Sequence, residues 1–324
     1  MTKTRRKAPR NTDYRAYRHP RWWPTWLMIG LMWLAAQLPI AWQWSLGRGL
    51  GRLAWRFARS RRHITETNIR LCFPELSDAE QAELVRQAFE ANGIGVLELG
   101  IAWFRDPADL AGITRIHGHE HFEAALAHGK GVLLLGGHYS TLDLGGSLVT
   151  EVIDADVMQR DHNNPLVNAV MTRARERRYG TVLGARDLRG LFRSLKQNRA
   201  VWYATDQDYG RKDIVFAPFF GIETGTITAT SRIAERSGCR VVPFSHFRRN
   251  DAPGYDIYFH PALEDFPSGD DLADATRTNA IIEREIRKAP AQYLWMHRRF
   301  KTRPERGDPG FYGRRGKKRR RRRQ

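Results

Sequence analysis

The sequence predicts an α/β fold whose mixed, largely parallel sheet is flanked by helices and preceded by an N-terminal membrane-associated helical segment. Three observations lead to this prediction. Strand-like runs and helical stretches alternate from about residue 113 onward, an order typical of α/β proteins. Hydrophobic residues make up 41% of the chain, which is enough for a full-sized core. Residues 22–47 carry no charged side chain.

Positive charge is concentrated in three short segments. The 324 residues include 54 Lys and Arg against 35 Asp and Glu, a net charge of +19. Residues 1–21 carry a net +7, residues 48–62 a net +6 and residues 314–324 a net +9, which leaves a net −3 for the remainder. This pattern predicts an acidic partner: nucleic acid, an anionic membrane or a phosphorylated substrate. No RNP, KH or zinc-finger pattern supports nucleic acid, so lipid is favoured.

Residues 22–47 have the length and composition of a membrane-spanning helix, for which roughly 20 apolar residues suffice. Both ends carry the tryptophans that are typical of membrane interfaces, namely Trp22, Trp23, Trp26, Trp42 and Trp44. A buried core helix is the alternative. Pro39 could kink the segment, so a re-entrant or shallow hairpin also stays open. Basic residues flank both ends and therefore give no orientation.

A basic amphipathic pattern follows this apolar segment. One helical face carries the arginines Arg48, Arg52, Arg56 and Arg59. The opposite face carries the apolar residues Leu46, Leu50, Leu53 and Phe57. Such a helix is predicted to lie in the membrane interface with its arginines on anionic head groups. An ordinary surface helix is the alternative, and each glycine here weakens the helix by about 1 kcal/mol.

The C-terminal charge run has nothing to pack, so residues 307–324 are predicted to form a disordered basic tail. Attraction to acidic phospholipid is favoured over nuclear targeting or RNA binding. The predicted organisation is thus a basic arm (1–21), a membrane segment (22–47), an amphipathic and helical region (48–110), an α/β domain (111–306) and this tail (307–324).

Strands and helices can be assigned along the α/β domain. A capping box at Ser77 and Glu80 predicts a long helix just before it. Strands are predicted at 113–117, 131–135, 152–158, 200–204, 240–247 and 255–260. Helices are predicted near 120–128, 141–150, 165–178, 187–197, 226–237 and 272–288. The site is expected in loops at the carboxyl ends of the strands, and the long loop 205–225 is expected to be functional.

His138 and Asp143 give the sharpest chemical signal. A buried strand ends in Gly136 and Gly137, then His138, with Asp143 five positions on at the start of a helix. We expect the Asp143 carboxylate to accept the Nδ1–H of His138, which would leave Nε2 facing the cleft as a base. The two glycines allow close backbone approach and could supply oxyanion donors. The alternative is a histidine with a purely structural role.

His138-x4-Asp143 resembles the acyltransferase motif of the lysophospholipid acyltransferase superfamily, whose fold is glycerol-3-phosphate acyltransferase-like. The rest of the chain, from about residue 25 to 306, resembles the bacterial lipid A late acyltransferase branch, the lauroyl and myristoyl transferases of lipopolysaccharide assembly. Three blocks carry the likeness, at residues 68–75, 201–210 and 292–304. The Phe-Pro-Glu-Gly-Thr-Arg block of the glycerophospholipid branch is absent from the sequence.

The resemblance implies transfer of a fatty acyl chain from acyl carrier protein, or less often coenzyme A, to a hydroxyl of a lipid A precursor. It places the enzyme on the cytoplasmic face of the bacterial inner membrane, with anionic lipids as partners and no cofactor besides the acyl-donor substrate. His138 would deprotonate the acceptor and Asp143 would orient His138. Arg175 and Asp206 match positions that function in the branch, here expected to bind substrate.

Two other functions and one decoy motif stay in view. A lysophospholipid or other glycolipid acyltransferase would use the same mechanism, and a basic membrane- or nucleic-acid-binding module would use none. Residues 117–121 match the inverse zincin pattern His-x-x-Glu-His, but Gly118 indicates a turn rather than the required helix, so no metal site is predicted. Cys72 and Cys239, neither in a CxxC pair, fit a reducing compartment.

Overall fold

The computed structural model describes residues 14–313. Most of the predicted basic arm, residues 1–13, and most of the predicted tail, residues 314–324, lie outside the described part. Four helices form an N-terminal helix layer: α1 (Trp23–Ala36), α2 (Ile40–Phe57), α3 (Arg59–Cys72) and α4 (Asp78–Phe104). The capping box predicted at Ser77 and Glu80 is present at the start of α4, with bonds in both directions.

The apolar segment at residues 22–47 folds into parts of two helices, and within residues 14–313 no helix is long and apolar enough to cross a membrane. The expected spanning helix is therefore not confirmed. The helical conformation is interrupted before Pro39, because proline has no N–H to continue a helix and disfavours helical backbone at the preceding residue. The buried Gln43 side chain closes the break by donating to the carbonyl oxygens of Ala36 and Leu38.

Glycines allow α2 and α4 to pack with their backbones in contact. A Cβ built on Gly51 would lie 2.3 Å from the Phe89 carbonyl oxygen, and one on Gly93 would lie 2.2 Å from the Gly47 carbonyl oxygen. Gly47 and Gly51 would weaken α2 as an isolated helix, but they allow α4 to pack closely against it. Gly49, by contrast, faces open space within 4 Å.

The apolar side chains of α1 and α2 point outward. The buried face of α2 consists of Gln43, Gly47 and Gly51, so its predicted apolar face is left 46–69% exposed. We call the exposed large apolar residues of the two helices the apolar surface: Trp23, Leu27, Met28, Leu31, Trp33, Leu34, Trp42, Leu46, Leu50, Leu53 and Phe57. Patches of this kind mark interaction sites on soluble proteins and at membranes.

The predicted sheet is confirmed as a seven-stranded sheet in the order β1-β9-β8-β2-β5-β3-β4. Five strands run parallel, from β8 to β4, and β9 is antiparallel to β8. The strands are β1 (Thr114–His117), β2 (Val132–Leu135), β3 (Ala155–Gln159), β4 (Val182–Gly184), β5 (Ala200–Tyr203), β8 (Arg240–Arg248) and β9 (Tyr255–Phe259). The remaining helices are α5 (His119–Leu126), α6 (Leu142–Val149), α7 (Pro165–Glu176), α8 (Leu188–Lys196), α9 (Ala229–Ser237) and α10 (Asp271–Lys288).

The expected loop at 205–225 is partly a hairpin, which the sequence reading missed. Strands β6 (Ile214–Phe219) and β7 (Ile222–Ile227) pair antiparallel beside the main sheet. Their two-residue turn, Phe220 and Gly221, has positive φ at both positions. A bulky residue rarely adopts that conformation, so its sequence carries no turn signal. Strand β4 was also missed, because it spans only three residues.

Helices cover both faces of the sheet. Leu133 and Leu135 of β2 belong to one apolar cluster with residues of α8, α9 and α10. Val132 and Leu134, which alternate with them, belong to a second cluster with residues of α1, α5, α6 and α7. Helix α4 contributes to both clusters. The carboxyl edge of the parallel strands stays accessible between these layers.

Candidate active site

The sheet brings His138 and Asp206 together. Strands β2 and β5 are parallel neighbours, with Leu135 opposite Tyr203 at their carboxyl ends. His138 follows β2 by three residues and Asp206 follows β5 by three residues. Because both residues lie three positions beyond paired strand ends, their side chains meet at the carboxyl edge of the sheet.

Asp206 holds His138 through two hydrogen bonds. One carboxylate oxygen lies 2.6 Å from His138 Nδ1, and the other accepts the His138 backbone N–H at 2.7 Å. The Asp206 side chain is fully buried, whereas 17% of the His138 side chain is exposed. Burial alone would raise the pKa of Asp206, but the charge and hydrogen bonds of His138 lower it to about 2. The contact leaves Nε2 as the accessible nitrogen of the imidazole.

The expected contact between Asp143 and His138 Nδ1 is wrong, because Asp206 occupies that position. Asp143 instead bonds to Arg175, whose Nη2 lies 2.5 Å from Oδ1. The physical reason is the direction of the turn. The His138 N–H points toward β5, whereas the first turn of α6 faces α7, which carries Arg175.

The Asp143–Arg175 pair lies in the wall of a partly open cavity, whose empty volume is about 570 Å³ when the open solvent at its mouth is included. Apolar residues of β2, β3, β5, β8 and α6 form most of the lining, among them Leu134, Leu142, Val149, Val157, Trp202 and Phe244. Burial alone would lower the pKa of Arg175, but the adjacent Asp143 carboxylate raises it. The Trp202 ring lines the cavity, and its centroid lies 5.3 Å from that of the His138 ring.

His246 on β8 lines this cavity, and no sequence motif pointed to it. Its Nδ1 lies 2.8 Å from the Thr141 hydroxyl oxygen, three residues after His138. Burial lowers the pKa of His246 to about 3, so the ring is neutral at physiological pH. The residue could have been found only from the sheet order, which puts β8 beside β2.

The C-terminal block at residues 292–304 holds the turn that carries His138. The Leu294 N–H donates to the His138 carbonyl oxygen at 2.9 Å, and the Ser140 N–H donates to the Gln292 carbonyl oxygen at 2.7 Å. Asp208, two residues after Asp206, accepts the Thr302 N–H at 2.6 Å. Residues 292–304 therefore contact both the turn after β2 and the segment after β5.

A buried ion pair connects the same turn to the helix layer. Arg248 Nη1 lies 2.9 Å from Glu98 Oε2 on α4, and both side chains are at most 5% exposed. Arg248 Nη2 also donates to the Ser140 hydroxyl, and the Tyr255 hydroxyl donates to Glu98 at 2.8 Å. Removing one partner would leave a buried charge uncompensated.

The decoy motif forms no metal site in the described part of the chain. Gly118 has a φ of 70° and lies between β1 and α5, as the expected turn requires. His119 Nε2 lies 3.2 Å from the Val152 carbonyl oxygen. Within residues 14–313, no group of three or more His, Cys, Asp or Glu residues could hold a metal ion.

Comparisons with known proteins identify the family of the chain. The family model for bacterial lipid A biosynthesis acyltransferase matches residues 11–302. The chain is 41% identical to the lipid A biosynthesis lauroyltransferase of Escherichia coli K12, covering 91% of this chain and 96% of that protein. It is 38% identical to the palmitoleoyltransferase of that strain, covering 92% and 97%, and 28% identical to its myristoyltransferase, covering 90% and 93%. The chain therefore belongs to the bacterial lipid A biosynthesis acyltransferase family and is an acyltransferase of late lipid A acylation.

Proposed function

We propose that the protein transfers a fatty acyl chain from acyl carrier protein directly to a hydroxyl of a lipid A precursor, with His138 as general base. The observation that carries the mechanism is the 2.6 Å contact between Asp206 and His138 Nδ1. A carboxylate at Nδ1 fixes the tautomer that leaves Nε2 free to accept a proton, and it stabilises the imidazolium that then forms. Asp206 thus takes the orienting role that the sequence suggested for Asp143.

The reaction needs no covalent acyl-enzyme. His138 Nε2 takes the proton of the acceptor hydroxyl as its oxygen forms a bond to the thioester carbon. The resulting tetrahedral intermediate collapses, the carbon–sulfur bond breaks, and the leaving thiolate takes the proton back from His138. The products are the new ester and the free thiol of the donor.

One of the two expected oxyanion donors is already engaged. The Gly136 N–H donates to the Tyr203 carbonyl oxygen at 3.0 Å, and the His138 N–H donates to Asp206. The Gly137 N–H has no backbone acceptor among residues 14–313. We assign this amide to the developing negative charge on the thioester oxygen.

Arg175 and Asp143 provide substrate binding in the cavity beside His138. The largely apolar lining suits an acyl chain, and the ion pair supplies a fixed polar group at its wall. Arg175 Nη1 also donates to Gln159 at 3.3 Å, which limits the movement of the guanidinium. The pair therefore orients substrate rather than exchanging protons.

The apolar surface of α1 and α2 docks the enzyme on the cytoplasmic face of the inner membrane. Exposed tryptophan and leucine side chains at helical spacing support this, as do Arg56 and Arg59 nearby, which can reach anionic head groups. Docking of this kind requires no spanning helix. It brings the site to the membrane in which an acylated precursor resides.

The test is transfer by the His138→Ala variant, reconstituted with anionic lipid vesicles, acyl carrier protein thioester and lipid A precursor. Mass spectrometry of the products should show loss of acylation, while vesicle binding and the thermal midpoint stay unchanged. His128→Ala is the matched control, since His128 is exposed and precedes β2, whereas His138 follows the opposite end of that strand. Full transfer by His138→Ala would contradict the mechanism. Preferential acylation of a lysophospholipid offered in parallel would contradict the proposed acceptor.

A further inference from the structure

Helix α8 and the turn before it expose a row of basic side chains that we call the basic face: Arg186, Arg189, Arg193 and Lys196. They are three or four residues apart, so those on the helix lie along one side of it. All four are exposed, and none forms a salt bridge within residues 14–313. On the neighbouring α9, by contrast, Arg232 pairs with Asp271 at 3.2 Å. The basic face is also unexpected in a chain whose remainder has a slightly negative net charge.

The sheet topology places one end of the basic face beside the site. Strand β4 leads directly into α8 and runs parallel to β3, β5 and β2. The start of α8, with Arg186 and Arg189, therefore lies at the carboxyl edge where His138 is found. Three strand spacings separate β4 from β2, which is about 14 Å at 4.8 Å per strand.

The basic face and α1, which carries part of the apolar surface, lie on opposite sides of the sheet. Leu191 and Leu195 of α8 pack in the cluster that includes Leu133. Ile29 of α1 packs in the cluster that includes Leu134, whose side chain points to the other side. A partner on the basic face would thus approach from the side of the sheet opposite to the docked membrane.

We propose that the basic face docks the acidic carrier protein that delivers the acyl thioester. This inference rests on the proposed acyl carrier protein donor. Such carriers are small acidic proteins that present the acyl group on a flexible pantetheine arm, so they need a basic surface one arm's length from the reacting atoms. Rim charges act mainly on encounter and binding, and they leave the chemical step unchanged.

The experiment compares two double charge reversals in the full-length enzyme: Arg189→Glu/Arg193→Glu on the basic face and Arg236→Glu/Arg240→Glu as control. Arg236 and Arg240 are exposed and lie at the end of α9 and the start of β8, at the opposite edge of the sheet. Initial rates are measured with acyl carrier protein thioester and with the acyl-pantetheine thioester, which lacks the protein. The basic-face variant should raise KM for the carrier thioester about tenfold, with kcat and the pantetheine reaction unchanged.

Each other outcome overturns the inference in a recognisable way. An equal KM in both variants would show that the carrier docks elsewhere. Loss of vesicle binding by the basic-face variant, with unchanged KM, would assign the face to lipid head groups. No transfer from the carrier thioester by the unaltered enzyme would overturn the donor proposal and this inference with it.

Discussion

The turn after β2 and the helix layer hold their parts in place by different means. In the turn, His138 is fixed by directional polar contacts of 2.6 and 2.7 Å from a fully buried carboxylate. Between α2 and α4, position is set by close backbone contact at glycines. Polar contacts determine a tautomer and an orientation, whereas close packing determines a distance between elements.

This difference predicts that substitutions in the two regions act on different measurements. A change in the polar contacts should lower kcat with little effect on folding. A change in the glycine contacts should lower the free energy of unfolding and leave the chemistry intact. The following predictions test this separation.

The largest effect is expected from Asp206→Asn. The amide can donate to Nδ1 and favour the wrong tautomer, so kcat should fall about 10³- to 10⁴-fold, as when the orienting carboxylate of a catalytic triad is replaced. Thermal unfolding measured alongside should show a folded protein. Asp143→Asn is the control and should cost much less. If Asp143→Asn were the more damaging change, the orienting carboxylate would be Asp143 after all.

Lengthening either carboxylate by one methylene should have a smaller effect on kcat, and it should distinguish Asp206 from Asp143. Asp206→Glu pushes a buried carboxylate about one methylene too far toward His138, and a displacement of about 1 Å can reduce the rate about 10²-fold. Asp143→Glu should retain most of kcat, because its partner Arg175 is long and the cavity beside it is partly open. The kcat values of both variants are compared at saturating donor. Equal losses would mean that both carboxylates act on His138.

The helix layer should respond in free energy of unfolding. Gly51→Ala places a methyl group against the α4 backbone and should destabilise the protein by about 1–3 kcal/mol. Gly49→Ala, two residues away, meets open space and should stabilise α2 by about 0.5–1 kcal/mol. Urea denaturation measures both, with kcat expected to be unchanged in each. Similar effects of the two alanines would refute the close packing of α2 on α4.

At neutral pH the smallest effect comes from His246, whose contribution appears as a pH dependence of stability. The pKa of His246 is lowered from 6.5 to about 3, so the folded state binds fewer protons than the unfolded state below pH 6.5. Stability should therefore be complete above pH 6.5 and fall with decreasing pH, by at most about 1.4 kcal/mol per pH unit from this group. His246→Gln should flatten the slope, measured by urea denaturation from pH 7 to 4.5. His128→Gln should leave it unchanged, and an unchanged slope in both would contradict the buried neutral state.

Some elements were predictable because their signal is local. The capping box of α4 and the apolar run of β2 specify their own conformation over a few residues. The β6–β7 hairpin was missed because its turn contains Phe220 at a positive φ, which a bulky residue rarely adopts. The predicted apolar and basic faces of α2 did not show that its glycine face is the buried one. That depends on α4, some 40 residues further along the chain.

The sequence by itself determined which groups are present: the imidazole of His138, two carboxylates, an arginine and the family to which they belong. The tertiary structure decided how they pair. Asp206 lies 68 residues from His138, yet the parallel pairing of β2 and β5 brings it closer than any local geometry brings Asp143. Sequence spacing fixes only contacts within one element, whereas partners across elements depend on the register of the sheet and on which helix faces are covered. The apolar residues of α1 and α2 face outward because other faces of these helices pack against the rest of the protein, which their own sequence does not specify.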